Sequence, residues 1–296
     1  GPFHDLALIG VERVRMDLDQ ARVGLRCHPV LAGGPHLIAH RGGAGLAPEN
    51  TLAAFRQAVE VWEADLIELD VHASADGHCV VIHDPTVDRT TDGTGAVAEL
   101  TLDELRRLDA GYRFTLDGCT YPFRGQGFTV PTIDEVLEAL PETRFVVEVK
   151  VAAAQRPLFE AIRRAGAEDR VIVAAESESA RTLFGTYRGP KSASAAQLRR
   201  FYLLHRLRLA RFWKLGVDAA QVPEWWGGTR VVSPRFIRDL HAQGIPVHVW
   251  TVNETEDMHR LLDWGVDGIV TDRPDRLAQV LCERVGRRRP PGLDRA

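Results

Sequence analysis

The feature that most restricts the fold is the repeated alternation of short β-rich runs with longer helical segments. Several of these runs are nearly continuous in apolar residues, as strands buried on both faces of a parallel sheet should be. The predicted strands span residues 37–40, 66–71, 79–83, 144–150, 170–175, 217–222, 246–252 and 268–271. Strands that alternate with helices over about 250 residues predict an α/β fold, the (β/α)8 TIM barrel, with a doubly wound open sheet as the alternative.

Helix signals fill the segments between these runs. Residues 51–63 carry an apolar stripe behind a capping residue. Residues 132–139 follow a proline, and residues 235–243 and 254–264 each end at a glycine, which is typical of a helix C-terminus. Helices in these positions are what the alternation in a barrel requires.

One connection is too long for a simple link between strand and helix, namely residues 85–131 after the third predicted strand. It contains one predicted helix and a glycine- and aromatic-rich stretch. Long loops in compact domains usually carry a function, so we predict a subdomain inserted over the mouth of the barrel. We further predict a mainly helical N-terminal extension at 1–36 that closes the bottom of the barrel. The barrel domain then spans 37–280, and a polar C-terminal tail spans 281–296, of which the Arg- and Pro-rich end at 287–296 is expected to be frayed and solvated.

Composition and charge exclude several classes of protein. The 37 Lys and Arg residues against 41 Asp and Glu residues give a net charge of −4, which disfavours a nucleic-acid partner. The four cysteines form no Cys-x-x-Cys pair, so neither a thiolate zinc site nor a disulfide framework is indicated. No run of about eighteen apolar residues occurs, so no transmembrane segment is expected. The first residues include His4, Asp5 and Glu12 where a signal peptide would be basic and then apolar, so we expect a cytoplasmic location.

Charged and titratable side chains cluster at the ends of the first four predicted strands. In a parallel barrel the active site lies at the C-terminal ends of the strands, so these side chains should meet there. Charges inside otherwise apolar strands are costly unless they meet a counter-charge or a metal. The set consists of His40, Arg41, Glu68, Asp70, His83, Glu148 and Lys150. A buried ion network is the alternative interpretation of this set.

The types of side chain in this set indicate a division of roles. The carboxylates of Glu68, Asp70 and Glu148 are hard oxygen ligands, which suit Mg²⁺ or Ca²⁺ better than zinc. Arg41 and Lys150 suit phosphate oxygens, although Lys150 could instead simply pair with Glu148. His40 and His83 can act as acid and base near neutral pH. These are the groups that metal-dependent cleavage of a phosphodiester requires.

Three further residues are weaker candidates for the site. Glu49 is predicted to contact the substrate, whereas Asn50 could equally cap the following helix. Trp250 ends the seventh predicted strand and is predicted to wall the substrate pocket, with ordinary barrel packing as the alternative.

Several motifs recur in order on different predicted strands. Residues 39–42 read A-H-R-G, 48–55 read P-E-N-T-L-A-A-F, 68–71 read E-L-D-V, and 81–95 read V-I-H-D-P-T-V-D-R-T-T-D-G-T-G. Later come P-T-I-D-E at 131–135, E-V-K at 148–150, W-T-V-N at 250–253 and G-V-D-G-I-V-T-D-R-P at 265–274. Together they resemble the glycerophosphodiester phosphodiesterase family over roughly residues 36–277.

The resemblance implies a TIM barrel with an insertion after the third strand. It implies one divalent cation, Mg²⁺ or Ca²⁺, on Glu68, Asp70 and Glu148. It further implies acid and base catalysis by His40 and His83, and phosphate contacts from Arg41 and Lys150. In the usual mechanism of the family, a substrate hydroxyl attacks the neighbouring phosphodiester. An alcohol leaves, and the cyclic phosphate is then hydrolysed to glycerol phosphate.

Alternative functions on the same barrel remain open. They are a lysophospholipase D acting on lysophospholipids, a lyase that stops at the cyclic phosphate, and a non-enzymatic phospholipid-binding barrel. Residues 198–215 are long, apolar and basic, and together with 222–224 and 230–234 they resemble the lysophospholipid branch of the family. They could form a helix in peripheral contact with a membrane, a helix that shields a groove for an acyl chain, or an ordinary outer helix.

Overall fold

The architecture is a parallel sheet surrounded by helices, and the computed structural model describes it for residues 28–294. The strands are β1 (His36–His40), β2 (Leu66–Ala73), β3 (Cys79–Val81), β4 (Arg144–Val149), β5 (Val171–Ala174), β6 (Ala220–Pro223), β7 (Trp225–Trp226), β8 (Thr229–Arg230), β9 (Val247–Trp250) and β10 (Gly268–Thr271). The helices are α1 (Leu52–Glu60), α2 (Leu102–Leu105), α3 (Ile133–Ala139), α4 (Gln155–Arg164), α5 (Ala195–Arg206), α6 (Pro234–His241), α7 (Thr255–Asp263) and α8 (Pro274–Val285).

Backbone pairing curls the sheet into a barrel. The parallel strands follow one another in the order β5-β4-β2-β1-β10-β9-β6. Between β5 and β6, Lys191 pairs in parallel with Val173, and Ser192 pairs in parallel with Ala219. Seven strands and this short bridge make the eight positions of the wall. The predicted TIM barrel is therefore confirmed, and the doubly wound sheet is excluded because it would leave two open edges.

The third predicted strand is not part of the barrel wall. β3 runs antiparallel to β2, with Val71 opposite Val81. A tight turn at residues 74–78 joins the two strands, whereas a parallel pair needs a crossover of about a dozen residues. The prediction that 79–83 forms a parallel wall strand is therefore wrong. Residues 191–192 take the wall position instead, and this pairing is too short to produce an apolar run.

Apolar side chains fill both faces of the barrel wall. The inner cluster contains Val30, Leu31, Ile38, Leu66, Val146, Ile172, Ala174, Ala219 and Val270. Val30 and Leu31 come from a turn before β1 and plug the N-terminal end of the barrel, where Arg144 donates to the Val30 carbonyl at 2.9 Å. Two larger clusters pack between the wall and the helices. One of them includes Phe55 and Phe145, and the other includes Phe201 and Phe236. Alternation of side chains along each strand produces these two layers.

Side-chain caps set where the helices begin. Thr51, rather than Asn50, caps α1 by accepting a hydrogen bond from the backbone three residues on. Thr132 with Glu135 and Ser194 with Gln197 form capping boxes at the starts of α3 and α5. The longest helices, α5 and α8, have 12 residues each. Within residues 28–294 no helix combines the length and apolarity needed to cross a bilayer.

The insertion between β3 and α3 has a small core of its own. Val87, Val97, Leu102, Leu105, Ala110 and Val130 pack there against Val80 and Ile82 at β3. Three aromatic rings pack together in the glycine-rich part. Phe114 meets Phe123 edge to face at a centroid separation of 5.1 Å, and Phe123 meets Phe128 at a tilt with a separation of 5.5 Å. The predicted insertion after the third strand is therefore present, although its helix is only the short α2.

The segment that follows α8 folds against the lower side of the barrel. Arg287 pairs with Asp65 at 2.6 Å, and the backbone N–H of the buried Gly292 donates to the Val61 carbonyl at 2.8 Å. The prediction that this end is frayed is therefore wrong for residues 287–294, although the Arg288 and Arg289 side chains are exposed to solvent. Its arginine content suggested solvation, but the tertiary fold supplies a carboxylate partner. The predicted N-terminal helix falls mainly on residues 1–27, which lie outside the described residues.

Candidate active site

The turn that follows β1 carries His40 and Arg41 into the mouth of the barrel. Arg41 has φ of +51° and Gly42 has φ of +84°, so the chain reverses at once after the strand. A Cβ atom at Gly42 would lie 2.7 Å from the Phe55 ring, so only glycine fits between the turn and α1. The Arg41 backbone N–H donates to Glu68 Oε2 at 3.0 Å, which ties the turn to β2.

Three carboxylates from β2 and β4 form one group, which we call the acidic cluster: Glu68, Asp70 and Glu148. Asp70 and Glu148 are register partners on neighbouring strands, and one oxygen of each carboxylate lies within 4.8 Å of the others. Burial, and after it the charge of Asp70, raises the pKa of Glu68 to about 8, because a second carboxylate charge is costly in this buried place. Buried hard oxygen donors with uncompensated charge fit a divalent cation such as Mg²⁺ or Ca²⁺.

Two cations flank the acidic cluster and offset part of its charge. Lys150 Nζ lies 2.9 Å from Asp70 Oδ1 and 3.0 Å from Glu148 Oε2. Arg41 lies between two carboxylates. Its Nε is 3.2 Å from Asp70 Oδ2, and its Nη1 is 2.9 Å from Glu49 Oε1. Burial alone would raise the pKa of Asp70, but Lys150 and Arg41 lower it overall. Asp70 is therefore held as a carboxylate at the centre of the site.

Both predicted catalytic histidines are held by carboxylates at Nδ1. His40 Nδ1 lies 2.6 Å from Asp272 Oδ1, and His83 Nδ1 lies 2.6 Å from Asp84 Oδ1. The contact leaves Nε2 of each ring as the nitrogen available to a ligand. Burial lowers the pKa of His40, but the hydrogen bond to Asp272 and the charge of Glu68 outweigh it, so the pKa is raised overall.

Asp272 is itself held in place by Asn253. The Asn253 side-chain amide donates to Asp272 Oδ2 at 2.8 Å, and its carbonyl oxygen accepts from the Asp272 backbone N–H at 2.9 Å. Burial raises the pKa of Asp272, but the hydrogen bonds to His40 and Asn253 and the nearby positive charge together outweigh burial and lower the pKa overall. Asp272 and Asn253 together therefore orient the His40 ring.

An arginine of the insertion joins the two halves of the site. Arg89 donates to both oxygens of Glu49, at 2.7 and 2.8 Å, and to Asp84, at 2.6 Å from Nε. Arg89 and then His83 hold the pKa of Asp84 at about 2. Glu49 thus bridges Arg41 and Arg89. The insertion is thereby tied to the turn after β1, next to His83.

The predicted site residues converge on one polar cavity of about 260 Å³. All of them except Glu49 line it: His40, Arg41, Glu68, Asp70, His83, Glu148, Lys150 and Trp250. Glu49 lies behind Arg41. Asn50, for which a capping role was equally open, instead donates to Asp70 Oδ2 at 2.9 Å. Trp250 is 43% exposed at the rim, so it is not ordinary barrel packing.

A second, apolar cavity of about 250 Å³ opens beside the polar one. The two share Glu148, Ala174, Glu176, Gln221 and Trp250. The apolar walls come from α5, β6 and the β7–β8 hairpin, and they include Leu198, Tyr202, Val222, Trp225, Trp226 and Val231. Gln221 lies at the boundary, and its Nε2 is buried without a hydrogen-bond partner among the residues of the structure. The combined space suits a ligand with one charged and one apolar end.

The residues that orient the site are absent from the sequence-based prediction. Asp84 directly follows His83 in the H-D dipeptide, and this adjacency was a usable signal for its role. Asp272 follows the last strand, at the same end of the barrel as the others, which was also a usable signal. Arg89 and Gln221 gave none, because an arginine in a loop and a polar residue in a short strand are common in proteins without any catalytic role.

Comparison with known proteins agrees with the geometry. The model of the Glycerophosphoryl diester phosphodiesterase family matches residues 40–276. A glycerophosphodiester phosphodiesterase of Caldanaerobacter subterraneus is 35% identical over 254 residues, covering 83% of this chain and 97% of that protein. A lysophospholipase D of Rattus norvegicus is 28% identical, covering 82% and 85% respectively. A solved phosphodiesterase of Oleispira antarctica, in complex with the product sn-glycerol-3-phosphate, has a TM-score of 0.65 and 26% identity, covering 83% of this chain and 96% of that one.

The matched region contains every side chain that lines the polar cavity, from His40 to Val270. The fold, the shared motifs and the extent of the match point to the same conclusion. The chain belongs to the glycerophosphoryl diester phosphodiesterase family and is a phosphoric diester hydrolase.

Proposed function

We propose that this protein hydrolyses glycerophosphodiesters to glycerol phosphate and an alcohol, with His40 and His83 as acid and base. The observation that carries this proposal is that both imidazoles line one cavity with the acidic cluster while a carboxylate holds each Nδ1. The product held by the Oleispira antarctica phosphodiesterase supports this class of substrate.

Because a carboxylate holds Nδ1 of each histidine, Nε2 is the ring nitrogen that would exchange a proton with the substrate. One imidazole takes the proton of the glycerol hydroxyl next to the phosphodiester as that oxygen attacks phosphorus. The other imidazolium donates its proton to the departing alcohol oxygen, and a cyclic phosphate remains. Water then attacks the cyclic phosphate with the roles exchanged, so both rings return to their first protonation states. Either histidine satisfies this balance as the first base.

Glu68, Asp70 and Glu148 are the residues that would hold one divalent cation, Mg²⁺ or Ca²⁺. When bound, such a cation would polarise a phosphate oxygen and stabilise the negative charge that develops on it. Arg41 and Lys150 line the same cavity and would bind the remaining phosphate oxygens. Glu49 would act indirectly, by fixing the Arg41 guanidinium, and Trp250 would wall the pocket around the alcohol.

Product analysis by ³¹P NMR tests the proposed hydrolysis. Incubation of glycerophosphocholine with the protein and Mg²⁺ or Ca²⁺ should convert the diester resonance into that of glycerol phosphate. Accumulation of cyclic glycerol phosphate alone would identify a lyase. An unchanged diester, together with retention of phospholipid by the protein, would favour a binding barrel.

Replacing Asp272 with Asn should lower kcat with little change in KM. An amide at this position could donate to Nδ1 and shift the His40 tautomer, and it would not stabilise the imidazolium. In the serine-protease triad the equivalent loss is about 10⁴-fold, so we expect roughly 10²-fold or more here. Steady-state kinetics on glycerophosphocholine measure the separate effects on kcat and KM.

The matched control for this variant is Asp239→Asn. Asp239 holds His205 at Nδ1 with the same 2.6 Å contact, but this pair lies on α6 and α5 outside the polar cavity. The control should keep its turnover. Equal losses in both variants would mean that Asp272 only supports the fold.

The apolar cavity favours a second candidate substrate, a lysophospholipid. Glycerophosphocholine has no group that would use a cavity of this size lined by Leu198, Val222 and Trp226. An acyl chain would, because burial of each methylene contributes about 0.8 kcal/mol. The name of the Rattus norvegicus relative agrees with this candidate.

Filling the apolar cavity should separate the two substrates. Ala195 lines this cavity, so Ala195→Phe should lower kcat/KM for lysophosphatidylcholine roughly tenfold by excluding about two methylenes. Turnover of glycerophosphocholine should change little. Ala196→Phe is the matched control, because Ala196 is exposed and does not line the cavity. Equal loss on both substrates, or no loss on the lysolipid, would remove the lysophospholipid candidate.

We also propose that residues 198–215 make peripheral contact with a membrane. The division of the chain into an N-terminal extension, a barrel domain with its insertion and a tail stays a prediction. The cytoplasmic location stays a prediction as well.

A further inference from the structure

The segment from α5 to the start of β6 is strongly basic, although the whole chain is acidic. Residues 195–217 contain six cationic side chains and no Asp or Glu, in a protein whose net charge is −4. All six are exposed: Arg199, Arg200, Arg206, Arg208, Arg211 and Lys214. Such a concentration of one charge sign creates a local positive field.

Large apolar side chains are exposed among these cations. Leu203 and Leu207 are each 59% exposed, Leu209 is 41% exposed and Phe212 is 70% exposed. They lie at the end of α5 and in the turn that follows it, not along one stripe of a long helix. We call this surface, formed by the exposed residues from 199 to 214, the basic-apolar face. Contiguous exposed apolar groups of this kind mark interaction sites.

The basic-apolar face is held on a rigid base. Phe201 is fully buried, and His205 is bonded to Asp239 at 2.6 Å beneath the exposed leucines. The side chain of Gln243, at the end of α6, donates to the carbonyls of Ala210 and Trp213 at 3.1 and 3.0 Å. The exposed apolar groups therefore project from a fixed scaffold. The packed residues beneath them leave no space in which these groups could be buried.

We propose that the basic-apolar face docks the protein on an anionic lipid surface, with Leu207 and Phe212 inserted among the acyl chains. This specifies the membrane contact proposed for residues 198–215. A shallow pocket beside this face is lined by Arg208, Arg211, Arg235 and Asp239. Asp239 is paired with His205, and Arg235 donates to the His205 carbonyl, so Arg208 and Arg211 are the cations that would meet a lipid phosphate there. The charge complementarity selects an anionic surface, and each Lys or Arg near such a surface contributes about 1 kcal/mol.

Other polyanionic or apolar partners fit the face less well. A nucleic acid would use the arginines but would leave the exposed leucines and Phe212 in water. A purely apolar partner would leave the six cations without counter-charges. A second copy of this chain, docked face to face, would bring like charges together at the six cations. A lipid surface satisfies both features, because phosphate groups and acyl chains lie one above the other.

The docking surface is continuous with the rim of the apolar cavity. The Arg199 guanidinium lies 4.3 Å from the ring of Trp226, which lines that cavity. Leu203 follows Arg199 by four residues on the same side of α5, and Leu207 follows four residues later, directly after the end of the helix. Docking through this face would therefore bring the rim of the cavity close to the lipid.

Co-sedimentation of the full chain with vesicles tests the docking. Binding should be strong to vesicles of phosphatidylcholine with phosphatidylglycerol, weak to phosphatidylcholine alone, and reduced as salt is raised. Leu207→Ser with Phe212→Ser should weaken binding to the mixed vesicles at least roughly tenfold. Arg211→Gln with Lys214→Gln should weaken it about 30-fold, which corresponds to about 1 kcal/mol per lost cation.

Two control variants lie elsewhere on the surface. Leu116, on the insertion, is 70% exposed, as Phe212 is, so Leu116→Ser should bind vesicles as the unaltered protein does. Arg156→Gln with Arg163→Gln removes two exposed cations from α4 and should have no effect either. Because none of these residues lines the polar cavity, glycerophosphocholine turnover should persist throughout, so a failure of docking is distinguishable from a failure of hydrolysis.

Three outcomes would overturn the proposal. The first is equal binding to both kinds of vesicle, and the second is unchanged binding after the Leu207 and Phe212 substitutions. The third is a dimer in sedimentation that these substitutions dissociate, which would assign the face to a second copy of the chain.

Discussion

Replacing His40 or His83 with alanine is expected to lower kcat for glycerophosphocholine by roughly 10²–10⁴-fold. Each ring is the proposed source or acceptor of one proton in both steps, and among residues 28–294 no other histidine lines the polar cavity. Because the two rings act in one cycle, the double variant should lose little more than either single variant. Initial rates and ³¹P NMR measure the loss, and a thermal melt checks that each variant is folded.

His78→Ala provides a matched control for these substitutions. The His78 side chain is 53% exposed in the turn between β2 and β3, close to the site in sequence but outside the cavity. It should turn over substrate as the unaltered protein does. Turnover close to the unaltered rate in folded His40→Ala or His83→Ala would refute the two-histidine mechanism.

Removal of divalent cations is expected to abolish turnover, with recovery on addition of Mg²⁺ or Ca²⁺. The acidic cluster supports this expectation, because Lys150 and Arg41 offset only part of its charge and the pKa of Glu68 remains raised to about 8. A bound cation would favour the ionised carboxylates and the folded state that assembles them. Activity in excess EDTA, followed by titration with each cation, measures the dependence.

Thermal unfolding supplies a second measure of cation binding that does not depend on turnover. Addition of the cation to chelated protein should raise Tm, because a ligand that binds only the folded state stabilises it. Glu148→Gln should reduce this increase, whereas Glu178→Gln, an exposed residue outside both cavities, should not. Undiminished activity in excess EDTA, or an equal Tm increase in the Glu148 variant, would contradict the metal assignment.

Much of the barrel could be predicted from local pattern alone. Runs such as 66–71 and 144–150 are apolar on both faces, as a covered parallel strand requires, and they form β2 and β4. The errors arose where a strand has little sequence signal or where its partner is distant. The apolar run at 79–83 predicted a strand correctly but could not reveal that it pairs antiparallel to β2.

The sequence predicted the reacting groups of the candidate site more completely than it predicted the side chains that hold those groups in place. His40, Glu68, Asp70 and Glu148 stand out because a charged or titratable group in an apolar strand is costly to bury without a partner. The side chains that hold them are ordinary residues of loops and strand ends. Asp272 lies 232 positions after His40, so only the closure of the barrel brings the two together.

The sequence by itself determined the fold class, the end of the barrel that carries the chemistry and most of the charged and titratable side chains that line the polar cavity. These follow from periodicity and residue type, which are local properties. The tertiary structure alone decided which carboxylate holds each imidazole, that Arg89 ties the insertion to Glu49, and that an apolar cavity lies beside the polar one. These depend on distances between residues far apart in the chain, and such distances exist only once the barrel has closed.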